Sequence, residues 1–466
     1  MVSSVHSLTH HNLHEPLCRF QHPADGDATA QVQALRQQNI SPLELIDACI
    51  EQIHDADLFV HAVTNQRFHA ARSEASALEG SQKHLPLLGV PFSIAEAWLP
   101  PQFPFEKTSG EEILALFPKH HPIRLLCEAG AIPVVTTKME RMHHKIPTQE
   151  RVKHPYHPNR WAGSGYTGDC ALIGAGALSF AVGQEHTAEV RYPSHQCGIF
   201  GHNIHPTSHE PGTFDTKKAL GSVSVMTRSA RDLYLLEQIL TTSKETRSYE
   251  HSLRNWNDVT VCVCEDLHIP GWSTSPELRQ KVRQVARTFT QQGAKVATWS
   301  SSRLRSTLAL STALLQNDSF SQQGRRRYQP SHAWYYILPQ GLQSTLRNLK
   351  RPFVSRYRDV NRKTRALQRE LQELLTGNTL LLVPTFPAPA QSIGVFDLRP
   401  SANLYTGLFA LLGWSCTTIP VGVREDGLPL GVQVVSTPAS NHLRLASATL
   451  LEQEYGGWLP PALVDL

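Results

Sequence analysis

"SPELRQKVRQVARTFTQQGAKVATW", residues 275–299, holds a helix, its stop and the start of a strand in one run. Ser275 is a good N-cap, and Pro276 suits the first helical turn, where a missing N–H costs nothing. Leu278, Val282, Val285 and Phe289 recur at helical spacing and make one face apolar. Gly293 ends the helix, because the left-handed conformation that closes helices is unstrained only without a Cβ. A strand follows at once.

The same grammar recurs outward from this stretch. "HPIRLLCEAGAIPVVTTK" (121–138) reads as a helix stopped by Gly130 and a strand through Val135. "SPLELIDACIEQIHDAD" (41–57) reads as a helix opened by Ser41 and Pro42, with Glu44 completing a capping box and Leu43, Ile46, Ile50 and Ile53 forming its apolar stripe. "DVTVCVCED" (258–266), "NTLLLVPTFPAPA" (378–390) and "DGLPLGVQVVS" (426–436) read as strands, the last entered through a turn at Asp426–Gly427. Cys262 and Cys264 fall on one face of their strand, where core packing suits them. Helices and strands alternate over most of the chain. That predicts an α/β fold, a central twisted mixed β-sheet covered by helices on both faces.

At 466 residues and 40% hydrophobic, the chain is long and apolar enough to bury one large core. Residues 1–28 show no period and are expected to form a poorly ordered arm, leaving 29–466 as a single domain. A net charge of +4 is too mild to point to nucleic acid or a membrane surface. The eight cysteines form no CxxC pair and read as reduced thiols. No signal pattern and no apolar run long enough to span a membrane occurs, so the expected compartment is the cytoplasm. One segment stands out in charge: residues 347–369 carry nine Lys or Arg and one Asp, read as the solvated face of a long helix.

Six motifs then appear in order: "PLLGVPFSI" (86–94), "AGSGYTGDCALIGAGA" (162–177), "GQEHTAEVRYPSHQCGIFGHNIHPT" (183–207), "SVMTRSARDLYLLEQIL" (224–240), "LLVPTFPAPA" (381–390) and "DGLPLGVQVVS" (426–436). Together they resemble the amidase signature family of serine amide hydrolases, over roughly residues 35 to 460. "HPYHPNR" (154–160) and "CGIFGH" (197–202) look most like its fatty-acid amide hydrolase branch. The resemblance implies a single large domain with core motifs in 86–232 and 379–436, and a variable helical segment at about 305–370 lining the substrate pocket. "HAWYYILPQGL" (332–342) falls in that segment.

The resemblance also implies a mechanism in which a neutral lysine acts through a bridging serine on a nucleophilic serine. A serine hydroxyl is a poor nucleophile until a base takes its proton, and a lysine is a base only while uncharged. Backbone N–H groups of two glycines before the nucleophile hold the developing oxyanion. Carried over residue by residue, the lysine position falls on Ala95. The nucleophile position falls on Glu189, with Arg191 and Pro193 matching the family without a gap. The bridging serine falls on Gly165 when Asp169 and "ALI" are kept in register, or on Ser164 if the loop holds one inserted residue. The oxyanion glycines become Thr187 and Ala188, beside His186. A methyl group accepts no proton, and a carboxylate opposes the oxyanion that the reaction builds. The expectation is a scaffold without the Ser–Ser–Lys mechanism, retained to bind a small amide or acyl ligand or to associate as a homodimer or with an active paralogue.

Two alternatives stand beside it. One is an enzyme using relocated residues in the old pocket, such as Ser164, His186 and Glu189 as hydroxyl, imidazole and carboxylate. Lys138 and Lys145 are nearby amines whose bland reading is surface charge. The other is an RNA-linked role, disfavoured because the family's transfer-RNA enzyme uses the same triad. No cofactor is expected. No metal site is expected either, because the histidine clusters, of which His202, His205 and Glu210 come nearest, lack a convergent third ligand on a helix.

Overall fold

The computed structural model describes residues 25–78, 84–140, 150–185, 188–204, 222–241, 255–269, 272–299, 366–392, 404–412 and 414–461. Helices are α1 (Ala28–Arg36), α2 (Pro42–Val60), α3 (Phe68–Ala77), α4 (Gly110–Leu116), α5 (Pro122–Glu128), α6 (Thr167–Gly174) and α7 (Arg191–Gln196). They continue with α8 (Ala230–Leu240), α9 (Pro276–Gln291), α10 (366–374), α11 (Leu404–Leu411) and α12 (Asn441–Tyr455). Strands are β1 (Val63–Gln66), β2 (Pro91–Ala95), β3 (Ile132–Thr137), β4 (Lys153–His154), β5 (His157–Trp161), β6 (Phe180–Glu185) and β7 (Phe200–Asn203). The rest are β8 (Ser222–Thr227), β9 (Thr260–Val263), β10 (Lys295–Thr298), β11 (Thr379–Pro384), β12 (Ser415–Val423) and β13 (Pro429–Ser436).

Eleven strands form one mixed sheet in the order β1-β3-β2-β6-β8-β7-β12-β13-β11-β9-β10. Parallel pairs (β2 with β3 and β6, β9 with β10 and β11) flank an antiparallel centre from β6 to β13. The chain is one large α/β domain. Strand alternation sorts the core into two layers. On β2, Phe92 and Ile94 enter a cluster with residues of α5, α8, α9 and α12. Ala95 enters the opposite cluster with residues of α2, α3 and α6. Cys262 and Cys264 are both buried in a third cluster with residues of α10 and α11.

The local signals decide the element ends. Ser41 and Glu44 form a complete capping box, and Ile46, Ile50 and Ile53 are buried while Leu43 is only partly covered. Ser275 accepts from the Leu278 N–H, and Gly293 and Gly130 adopt φ of +98° and +99° after their helices. In "PLLGVPFSI" residues 86–89 form turns, and the strand begins at Pro91.

The expected arm boundary at residue 28 also moves. Asp27 caps α1 and pairs with Arg231 at 2.6 Å, and Asp232 accepts from the Ala28 and Thr29 N–H groups at 2.7 and 2.9 Å. Residues 26–28 are held by polar partners some 200 positions away, which leave no apolar period in the sequence. Residues 1–24, most of the basic stretch 347–369 and the "HAWYYILPQGL" run lie outside the described residues.

Candidate functional site

β2 delivers Ala95 to the layer beneath α2 and α6, fully buried and opposite Thr137 of β3. Next to it lies the carboxylate of Asp169 on α6. Its Oδ1 accepts from the hydroxyls of Ser93 and of Thr137, the latter at 2.7 Å. Its Oδ2 is buried with no hydrogen-bond partner among the described residues. Burial pushes this carboxyl up to about 6, with the two hydroxyls holding it back. A raised folded value means that its stabilising effect is full below 3.8 and is lost as pH rises through about 6. Asp169→Asn is expected to abolish this dependence. The stability of the wild type relative to the variant should fall by about 2 to 3 kcal/mol between acid and neutral pH. Thermal midpoints of both proteins across that range provide the check.

Gly165 precedes α6 with φ of +101°, a conformation that favours glycine. Its backbone forms an antiparallel bridge with Glu140, with N–H···O distances of 2.6 and 3.0 Å. Glu140 is buried and bolts the β4–β5 ribbon to this loop. Its carboxylate accepts from the Val152 N–H at 2.6 Å and from Trp161 Nε1 at 2.9 Å. On its other side Gly165 packs on Glu189. The Tyr166 N–H donates to the Glu189 carbonyl at 2.8 Å. A Cβ added to Gly165 would sit 2.6 Å from the Glu189 carbonyl carbon, and closer still to its oxygen and Cα. Gly165 and Glu189 are thus neighbours, with backbone of the second filling the side-chain space of the first.

Glu189 itself is half-buried, and its Oε2 accepts from the Ala188 N–H at 3.0 Å. Arg191 pairs instead with Glu185, at 3.3 Å, both side chains fully buried. Glu185 also accepts from the Val190 and Arg191 N–H groups. Arg191 further donates to Gln433 Oε1 at 2.8 Å, and the Gln433 amide donates to the Tyr405 carbonyl at 2.7 Å. Residues 190 and 191 are therefore pinned by one ion pair to β6 and through Gln433 to β13. Beside it, Trp161, Ala188, Tyr192 and Phe386 form an apolar wall against which Trp272 packs, with the Tyr192 and Phe386 rings 4.6 Å apart.

Ser164 donates to the Glu140 carbonyl at 3.2 Å, as a turn hydroxyl does. Lys138 points to the Glu150 carbonyl, 3.2 Å from its Nζ. His186, Thr187, Lys145, His205 and Glu210 lie outside the described residues. His202 sits on the other face of the sheet against Thr417 and Glu237, and no group of three or more metal-ligating side chains occurs among the described residues. No helix among them is long and apolar enough to cross a membrane. Glu140 and Glu185 escaped the reading of the sequence. Both act through contacts with backbone and side chains brought in by folding, which no spacing announces.

Comparison with known proteins places these motifs. The Amidase family model matches residues 44–445. Fatty-acid amide hydrolase 2-B of Danio rerio is 27% identical, covering 94% of this chain and 91% of the relative. Human fatty-acid amide hydrolase 2 is 24% identical over 92% of this chain and 88% of its own length. Among solved structures, 6-aminohexanoate cyclic dimer hydrolase superposes with a TM-score of 0.72 at 19% identity, covering 95% of this chain and all of its own. A bacterial aryl acylamidase of the amidase signature family reaches 0.74 at 16% identity, covering 94% and 99%. With a family model spanning most of its length and the same fold in the solved amidases, this chain belongs to the amidase family.

Proposed function

We propose that this protein is an amidase-signature scaffold that does not hydrolyse amides through a Ser–Ser–Lys triad, and that its retained role is to bind. The positions matched to the triad are Ala95, Gly165 and Glu189. The observation that carries the reading is the packing of Glu189 backbone on Gly165, which leaves no volume for a hydroxymethyl group there. Ala95 offers no base, and Asp169, bonded to the hydroxyl of Thr137 opposite Ala95, is an acid. The hydroxyl of Ser164 and the amine of Lys138 are both directed at backbone carbonyls.

The binding half of the proposal, a small amide or acyl ligand, rests on the relatives; Trp161, Tyr192 and Phe386 beside Ala188 are buried against one another as core. The relatives' names, fatty-acid amide and cyclic-dimer hydrolases, belong to the same chemical class.

A fluorescent fluorophosphonate, which reacts only with an activated hydroxyl, tests the reading directly. The wild-type protein is expected to stay unlabelled while an active amidase in the same reaction is labelled. Labelling of the wild type would overturn the proposal. Mapping the adduct to Ser164 would then favour the relocated Ser164, His186 and Glu189 arrangement.

A further inference from the structure

On the sheet face away from the candidate site, five side chains from four elements close a buried polar ring. His202 on β7 lies opposite Thr417 on β12, its Nδ1 2.7 Å from the Thr417 hydroxyl. Its Nε2 lies 3.3 Å from Glu237 Oε2 on α8, an ion-pair distance without hydrogen-bond alignment, and neither atom has a hydrogen-bond partner among the described residues. The other oxygen of Glu237 accepts from the Asn441 amide, and Arg444 donates to Asn441 Oδ1, both on α12. Arg444 completes the circuit by donating to Thr417 Oγ1 at 3.2 Å. His202, Thr417 and Arg444 are all fully buried, and Glu237 is 7% exposed.

The donors run in one direction. Arg444 has no acceptor atom, so it donates to Thr417, which leaves the threonine hydrogen for Nδ1 of His202. Nε2 then carries the imidazole hydrogen and faces the carboxylate. The opposite tautomer would aim a lone pair at Glu237. The ring is therefore complete only with a neutral, Nε2-protonated His202, an anionic Glu237 and a cationic Arg444. Thr417, His202 and Glu237 imitate a catalytic hydroxyl–imidazole–carboxylate set, but the hydroxyl has no exposure and takes a bond from Arg444.

We propose that this ring is an acid-sensitive bolt: protonation of His202 breaks its donor order and releases α12 from the sheet and from α8. Protonated Nδ1 becomes a second donor toward Thr417, whose own hydrogen loses its acceptor, and a second cation is buried beside Arg444. The charged side chains facing His202 are Glu237 from α8 and Arg444 from α12; β8 and β12 contribute only uncharged groups, Val225 and Thr417. Burial and Arg444 hold the imidazole below its ordinary 6.5, with Glu237 opposing. A depressed folded value keeps the stabilisation whole above 6.5 and loses it as pH falls below. Glu237, held low chiefly by His202 and Arg444 against its burial, loses stabilisation in the same direction. Both groups weaken the bolt in acid.

Hydrogen exchange on the full-length protein tests this locally, which matters in a chain with 24 histidines. Peptides from α12 (Asn441–Tyr455) are compared with peptides from α9 (Pro276–Gln291), which lies on the same face and has no part in the ring. After correction for intrinsic exchange, α12 is expected to open about tenfold more readily at about pH 5.5 than at about pH 7.5, relative to α9. In His202→Gln, which keeps an amide donor toward Glu237 but cannot titrate, that difference should disappear. Equal responses of α12 and α9 in the wild type, or an unchanged difference in His202→Gln, would overturn the proposal. If His202→Gln does not fold, the wild-type comparison decides alone.

Discussion

Gly165→Ser is expected to destabilise this protein by about 2 to 6 kcal/mol. Two costs add. The backbone at Gly165 has φ of +101°, where a residue with a Cβ costs about 1 to 3 kcal/mol. The added Cβ also meets Glu189, and the atoms it meets are backbone, including the carbonyl carbon at 2.6 Å. Backbone cannot rotate aside as a long side chain does, so relief requires the loop at Glu189 to shift, at a further ~1 to 3 kcal/mol. That loop is held by the Tyr166 N–H and by the buried Arg191–Glu185 pair. It follows that Ala95→Lys with Gly165→Ser and Glu189→Ser should not create a fluorophosphonate-reactive site, because the bridging hydroxyl has nowhere to stand. Thermal denaturation of Gly165→Ser and probe labelling of the triple variant are the measurements. An unchanged midpoint, or a triple variant that folds and reacts, would show that the loop is free to leave Gly165.

Arg191→Ala is expected to cost about as much, ~3 to 5 kcal/mol, for a different reason. Its removal strands the fully buried Glu185 carboxylate and leaves Gln433 Oε1 without its charged donor. Glu185 keeps only the long N–H contacts from Val190 and Arg191 at 3.3 Å. Arg191→Lys should recover little, since one ammonium does not reproduce the planar fork that reaches both Glu185 and Gln433. The double variant Arg191→Ala with Glu185→Ala should lose less than the sum of the two single losses, the signature of a direct pair. Additive losses measured by denaturation would mean that the two residues act separately. Because this pair ties Arg191 to the end of β6, the single variants should also loosen the site. Protease sensitivity near Glu189 would report that.

Much of the fold was legible residue by residue. Ser41, Pro42 and Glu44 announced a helix start, Gly130 and Gly293 two helix ends, and the spacing of Leu278, Val282, Val285 and Phe289 the buried face of α9. These are near-neighbour effects, governed by backbone angles and side chains within one or two turns. The motif order was legible in the same way, and the family model matches residues 44–445. The site's wiring was not. Reading the stretch 185–193 alone leaves Arg191 as available to Glu189, two residues away, as to Glu185, six residues away; folding gives the ion pair to Glu185.

The sequence by itself determined that this chain is an α/β protein and where several of its helices begin or end. Only the tertiary structure decided that Glu189 backbone occupies the space beside Gly165, that Glu140 ties that loop to Trp161, and that His202 is closed into a ring with Arg444. Caps and periodicity are short-range and repeat with the chain's own geometry. Those three contacts join segments tens to hundreds of residues apart, and which groups meet there depends on how the layers pack on both faces of the sheet.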